Sequence, residues 1–342
     1  MVKKGVGVGE TRKSIGSLVA STMPLAIIAG LLYAALFIKP ASSGGAVPEP
    51  VYERRDRLYG ISVGDDGSVV AVGSGGKILL GDIKGGAGSI AKADSGTKET
   101  LQAVARWDEL HLVAVGNEGE VVVSADHGRH WEAGRAPKSA VANRLVKVIA
   151  LPEGIAFAVG EYNALLKSSD YGKTWQRLLP EKDAVIYGLA RQGDHLLAVG
   201  EFGRVLLSAD QGATWSETQA PVKANLTAVV FGNDGLAVAV GLNGTLLSSH
   251  DHGRSWSVVP ASVEEHLYDV IWDGKRFVAV GDRATVLASG DGTTWEACDT
   301  GLGNAANYLW FTQLAPVANT YALAGSGIAL MDGNYRIQPL RR

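Results

Sequence analysis

The tripeptide Ala-Val-Gly ends at Gly73, Gly116, Gly160, Gly200, Gly241 and Gly281, and a variant, Leu-Ala-Gly, ends at Gly325. Successive steps are 43, 44, 40, 41, 40 and 44 residues. Each step holds four strand-sized apolar pieces separated by Gly, Asp and Asn. In the fourth unit these begin with Ile186–Ala190, His195–Gly200 and Gly203–Ser208, and the last opens at Trp215. A period of about 40–45 residues with four short strands per unit predicts a β-propeller. The first strands of the other units are read at Leu58–Val63, Leu101–Ala105, Leu145–Ile149, Leu226–Val230, Leu267–Ile271 and Leu309–Gln313. Near-continuous apolar runs such as Leu196–Val199 suit strands covered on both faces. The fold class expected is all-β: seven four-stranded antiparallel blades spanning residues 51–342. The segment Tyr335–Leu340 can supply the last strand, and Val51–Arg57 is placed to add to the blade that closes the ring.

A second signal follows most of the glycines. Four units carry Ser-x-Asp-x-Gly-x-x-Trp in full: Ser124/Asp126/Gly128/Trp131, Ser168/Asp170/Gly172/Trp175, Ser208/Asp210/Gly212/Trp215 and Ser249/Asp251/Gly253/Trp256. A fifth, Ser289/Asp291/Gly292/Trp295, is one residue shorter. A short carboxylate can accept backbone N–H bonds and hold a tight turn. Glycine supplies positive φ, and the indole fills space between blades. Evenly spaced acids could also suggest calcium. Each turn offers one acid, however, whereas calcium takes six to eight oxygens. No metal or cofactor is expected.

The pattern is the Asp-box, or bacterial neuraminidase repeat. The fuller string AVG-x-x-G-x-(V/L)-L-x-S-x-D-x-G-x-x-W resembles the propellers of the photosystem II assembly and stability factor family and their non-photosynthetic bacterial relatives. The resemblance covers roughly residues 55–340. It implies a non-catalytic protein-binding module, with assembly of a photosynthetic complex as one client role. The non-photosynthetic relatives imply instead an accessory subunit of an envelope transport machine, notably of the resistance–nodulation–division class. The resemblance implies an arginine-rich patch, and the positions that could supply one are Arg57, Arg144, Arg204 and Arg283, with acids interleaved among them.

Asp-box propellers also include sialidases and other glycoside hydrolases, so a sialidase-like hydrolase is an alternative reading. With strands alternating up and down, the Asp-box turns share one face with the first hairpins of the blades. The second hairpins and the inter-blade connectors share the opposite face, where the resemblance places enzyme chemistry. That face collects Arg57, Arg144, Glu161, Tyr162, Glu201, Phe202, Arg204, His266, Asp282 and Arg283 as the candidate partner-binding set, with Asn225 and Tyr308 beside them. A glycosidase needs two carboxylates flanking the bond. Glu161 and Glu201 fall at equivalent repeat positions, which favours a structural role for both. A small ligand in the central channel is a further reading.

From Ser14 to Ile38 no residue is charged, a run of 25. About 20 apolar residues span a bilayer as a helix. Lys3, Lys4, Arg12 and Lys13 precede the run, and the positive-inside rule then keeps the N-terminus cytoplasmic. The expected organisation is a cytoplasmic tail (1–13), a transmembrane signal anchor (14–38), a Pro/Gly/Ser-rich linker (39–50) and a propeller on the periplasmic side of a bacterial inner membrane. Ala26, Gly30 and Ala34 place small residues on one helix face, which suits close helix packing. The chain's net charge is −3, with no basic stripe for nucleic acid. The single cysteine, Cys298, excludes an internal disulfide.

Overall fold

The computed structural model describes residues 23, 27–33, 53, 55–82 and 90–340. The chain divides into two units, Met1–Glu49 and Pro50–Arg342. In the first, residues 27–33 are helical, with Ile27, Ile28, Leu31, Leu32 and Tyr33 exposed. Among the described residues no helix is long and apolar enough to cross a membrane. Most of the 14–38 span, with Ala26 and Ala34, lies outside the described residues, as do the tail (1–13) and the linker from 39 to 50. At Gly30 a Cβ would meet nothing within 4 Å.

The second unit is a seven-bladed propeller. Seven four-stranded antiparallel sheets each take four consecutive strands in simple meander order. The innermost strands are Leu58–Val63, Leu101–Arg106, Leu145–Leu151, Ile186–Gln192, Leu226–Phe231, Leu267–Trp272 and Phe311–Val317, which define blades 1 to 7. The seventh starts at Phe311 rather than Leu309. Residues Gly303–Tyr308 form a 3-10 helix, and Leu309 ends it by donating its N–H to Ala306 O at 3.0 Å. The second strands, such as Leu112–Gly116 and Phe277–Gly281, are buried along their whole length because a neighbouring blade covers each face.

The Ala-Val-Gly glycines are required by close approach rather than by positive φ. Their backbone is extended, as at Gly116 (φ −164°). The following residue donates its N–H to the carbonyl that precedes the inner strand, for example Asn117 N to Thr100 O at 2.9 Å. That carbonyl is thereby held against the glycine, and a Cβ at Gly116 would lie 2.1 Å from it. The same carbonyl approach recurs in all seven blades.

The Ser-Asp-Gly-Trp turns form as the sequence predicts. In blade 4, Ser208 Oγ donates to Asp210 Oδ1 at 2.8 Å and accepts from Gly212 N at 2.8 Å; Thr214 N donates to Asp210 Oδ1 at 2.9 Å. The indole N–H of Trp215 returns to Gly212 O at 3.2 Å. Each tryptophan packs against the preceding blade: Trp131 on blade 1, Trp175 on blade 2, Trp215 on blade 3, Trp256 on blade 4 and Trp295 on blade 5. The turn glycine faces the same neighbour. Gly212 has φ +82°, and a Cβ there would lie 2.7 Å from the Phe157 ring.

Blades 7 and 1 meet without a shared sheet. Among the described residues no strand passes from one terminus into the other's blade, and residues 55–57 are not strand. The seam is closed by apolar packing of Leu58, Ile61, Ala71 and Leu79 on Ala322, Ala324 and Ile328. Two bonds between inner strands reinforce it: Thr312 Oγ1 to Tyr59 O at 3.1 Å and Ile61 N to Gln313 Oε1 at 3.1 Å. Blade 1 has no turn tryptophan, and Ile90 packs at the corresponding place.

Candidate partner-binding face

The second hairpin of most blades turns through two consecutive left-handed residues. These are Gly75-Gly76, Glu118-Gly119, Tyr162-Asn163, Phe202-Gly203, Asn243-Gly244 and Arg283-Ala284. Such pairs build type I′ turns, which suit the twist of paired strands and favour Asn and Gly. Phe202 (φ 54°) and Tyr162 (φ 53°) therefore stand where the backbone least favours a bulky side chain. Phe202 is 67% exposed, so interior packing does not offset this cost. Tyr308 (84% exposed) and Val141 (67%) lie in connectors on the same face.

The carboxylates predicted on this face hold the backbone. Glu201 Oε2 accepts from Val185 N at 2.9 Å, tying the hairpin of blade 4 to the connector that enters it. Glu161 does the same for Arg144 N at 3.3 Å and also pairs with the Arg144 guanidinium at 2.8 Å. Ser74 takes the equivalent place in blade 1, accepting from Arg57 N at 3.0 Å. Asp282 accepts from Tyr268 Oη at 3.0 Å. Burial, followed by the adjacent Asp282 charge, pushes the Tyr268 phenol up to about 12. Burial and Glu201 likewise raise that of Tyr187. Cys298 is raised to about 11, chiefly by burial, so its thiol stays protonated and unreactive near neutrality.

The four arginines do not form one open basic patch. Arg204 is a correction to the sequence reading. It is 7% exposed and sits between blades, donating to Asn163 Oδ1 at 2.7 Å and to Glu217 Oε2 at 2.9 Å. The bond from Arg204 is also the main reason the Glu217 carboxyl is lowered. Arg144 is paired with Glu161, and Arg283 with Glu265 at 3.4 Å. Arg57 donates to Asp56 O at 3.3 Å.

Two groups of candidates come together. Arg144 and Glu161 meet beside the axis. His266, Asp282 and Arg283 join Tyr308, Glu264 and Glu265 around a cleft of about 450 Å³. Sequence reasoning missed the ring at the axis. The second residue of every inner strand faces the channel, giving Tyr59, Gln102, Val146, Tyr187, Thr227, Tyr268 and Thr312 around a cavity of about 380 Å³. Aligned on their glycines, these seven fall 13 or 14 residues upstream, so the sequence alone leaves their common register one residue uncertain. Among the described residues, no three His, Cys, Asp or Glu side chains gather as a metal site.

These features define a seven-bladed propeller whose loop-bearing face carries exposed aromatics. A family model described as the DUF6242 beta propeller domain matches residues 89–228. Among solved structures, YCF48 bound to D1 peptide is similar at TM-score 0.65 and 17% identity, covering 89% of this chain and 99% of that one. YCF48 from Cyanidioschyzon merolae is similar at 0.62 and 14%, covering 80% and 94%. The GH74 xyloglucanase from Xanthomonas campestris is similar at 0.65 and 15%, covering 83% of this chain and 54% of the enzyme. At these identities the likeness is one of fold. No curated protein matches the chain.

Proposed function

We propose that this chain is a non-catalytic, protein-binding propeller that serves as an accessory or assembly subunit of a membrane complex. The observation that carries the reading is Phe202, 67% exposed in a left-handed backbone conformation on the hairpin face. An unfavourable conformation that exposes a large apolar ring is better explained by a partner than by folding. Tyr308 and Val141 extend the apolar character of that face. The likeness to YCF48 bound to D1 peptide supports a protein client, at the level of fold. The engagement of Glu161 and Glu201 in backbone bonds weighs against a sialidase-like hydrolase.

The uncharged run from Ser14 to Ile38 supports anchoring in a bacterial inner membrane with the propeller in the periplasm. An anchor would raise the propeller's local concentration near a client in the same bilayer. The resemblance stated above makes an exporter of the resistance–nodulation–division class the first client to test, ahead of a photosynthetic complex. Affinity purification of the full chain from native membranes in mild detergent tests the proposal. A membrane protein should co-purify with the wild type and be lost with Phe202→Ala plus Tyr308→Ala. Recovery of the free chain alone would overturn it.

A further inference from the structure

The cleft of about 450 Å³ between blades 6 and 7 combines exposed aromatic surface with unpaired negative charge. Tyr308 ends the 3-10 helix Gly303–Tyr308 and is 84% exposed. Trp310 is half-buried, and its ring stacks on Tyr59 with centroids 6.1 Å apart. An antiparallel bridge between Asp282 and Trp310, and a bond from Ala284 N to Leu309 O at 2.8 Å, tie this aromatic side to the hairpin of blade 6. The rest of the lining is mostly acidic. Glu264, Glu265 and Asp282 face a single cation, Arg283, which pairs with Glu265 at 3.4 Å. His266 commits its Nδ1 as acceptor for Asn243 N at 3.0 Å, which requires the uncharged ring. The Asp282 carboxylate takes the phenol of Tyr268, a neutral donor. Among the described residues Glu264 and Asp282 have no cationic partner.

An excess of carboxylates favours a positively charged visitor and disfavours a negative one. The faces of Tyr and Trp also attract cations. Lys and Arg suit both features, because their methylene stems lie along apolar surface while the charged head stays among polar groups. The walls are held by backbone bonds, so little ordering is needed on docking. We propose that this cleft docks a lysine- or arginine-bearing segment of the protein partner. The proposal rests on the protein-binding reading and deepens it by stating the partner's chemistry beside Tyr308.

Calorimetric titration of the full chain at low ionic strength tests it with three probes. These are acetyl-Ala-Lys-Leu-Lys-Ala amide, its counterpart acetyl-Ala-Glu-Leu-Glu-Ala amide, and cellotetraose as an uncharged probe of the aromatic side. The lysine peptide should saturate one site, with the other two at least about tenfold weaker. Glu264→Gln combined with Asp282→Asn should weaken the lysine peptide about fivefold. Both changes conserve shape, and Asn keeps an acceptor for Tyr268, so the fold should be retained. Tyr308→Ala should weaken the peptide as well. Glu118→Gln removes an exposed acid from the hairpin of blade 2, outside the cleft, and should leave binding unchanged. No saturation by the lysine peptide up to millimolar concentration would overturn the proposal. Unchanged binding in the folded double variant, an equal loss in Glu118→Gln, or tighter binding of the sugar would do the same. Co-purification separates this proposal from the reading it rests on. A client lost with Phe202→Ala plus Tyr308→Ala but kept by Glu264→Gln plus Asp282→Asn would uphold that reading and overturn this one. Binding of the lysine peptide by a chain that recovers no client would do the reverse.

Discussion

Lys147 and Asp269 meet across the propeller axis. The ammonium of Lys147, on the inner strand of blade 3, donates to Asp269 Oδ1 on the inner strand of blade 6 at 3.2 Å. Asp269 also accepts from Leu314 N of blade 7 at 3.1 Å, so one carboxylate links three blades. Most other blades carry Gly or Ala at this register, namely Gly60, Ala103, Gly188 and Ala228. The blades crowd there: a Cβ at Gly60 would lie 2.8 Å from Ala103 Cα.

Asp269 is 3% exposed, so removing it leaves both Lys147 and the Leu314 N–H unsatisfied. Asp269→Ala should cost about 3 kcal/mol. Asp269→Asn keeps an acceptor for Leu314 and should cost clearly less. Urea unfolding of the two variants checks the order.

The turn glycines should be less replaceable than other left-handed glycines. Gly212→Ala meets both positive φ and the Phe157 ring, and should lose about 2 kcal/mol or more. Gly75, with φ +64° and open space around its Cβ position, should lose about 1 kcal/mol on the same change. Thermal melts of the pair would show whether packing adds to backbone strain.

Stability should fall with pH in two windows. Asp126, Asp210 and Asp251 are lowered from 3.8 to about 2. For Asp126 and Asp251 burial opposes ionisation but is outweighed by bonds from His130 and Ser255; for Asp210 the Thr214 hydroxyl bond leads. Their folded carboxyls bind protons more weakly than the unfolded chain's. The stability they contribute is therefore complete above about pH 4 and lost toward pH 2. His195 stacks on His252 with ring centroids 4.3 Å apart. Burial first, then His252 and Arg254, lower it from 6.5, against an opposing pull from Asp194. The fold thus favours its neutral form, and stability should decline as pH drops below 6.5. His195→Phe should flatten the upper window and leave the lower one. Urea midpoints from pH 8 to pH 2 would reveal both.

The ring should open first between blades 7 and 1. That seam lacks a turn tryptophan, and Ile90 and the inner-strand bonds take its place. Amide hydrogen exchange should show lower protection in Leu58–Val63 and Phe311–Val317 than in Ile186–Gln192 and Leu226–Phe231. Equal protection around the ring would rule this out.

The glycine beat and the Ser-Asp-Gly-Trp turns determined blade number, strand order and the packing role of the five turn tryptophans. Both are local devices: a carbonyl held against Gly116, or a carboxylate closing its own turn at Asp210, needs only neighbouring residues or the adjacent blade. The hairpin face was legible as a list, and Glu161 and Glu201 were legible as structural from their equivalent positions. What remained hidden depends on closing the ring. Sequence could not show that Arg204 is buried between blades, since its neighbour Phe202 in the same hairpin is exposed. Nor could it pair Lys147 with Asp269, 122 residues apart. Only tertiary structure brings seven inner strands around one axis, and there two charges from opposite sides become neighbours.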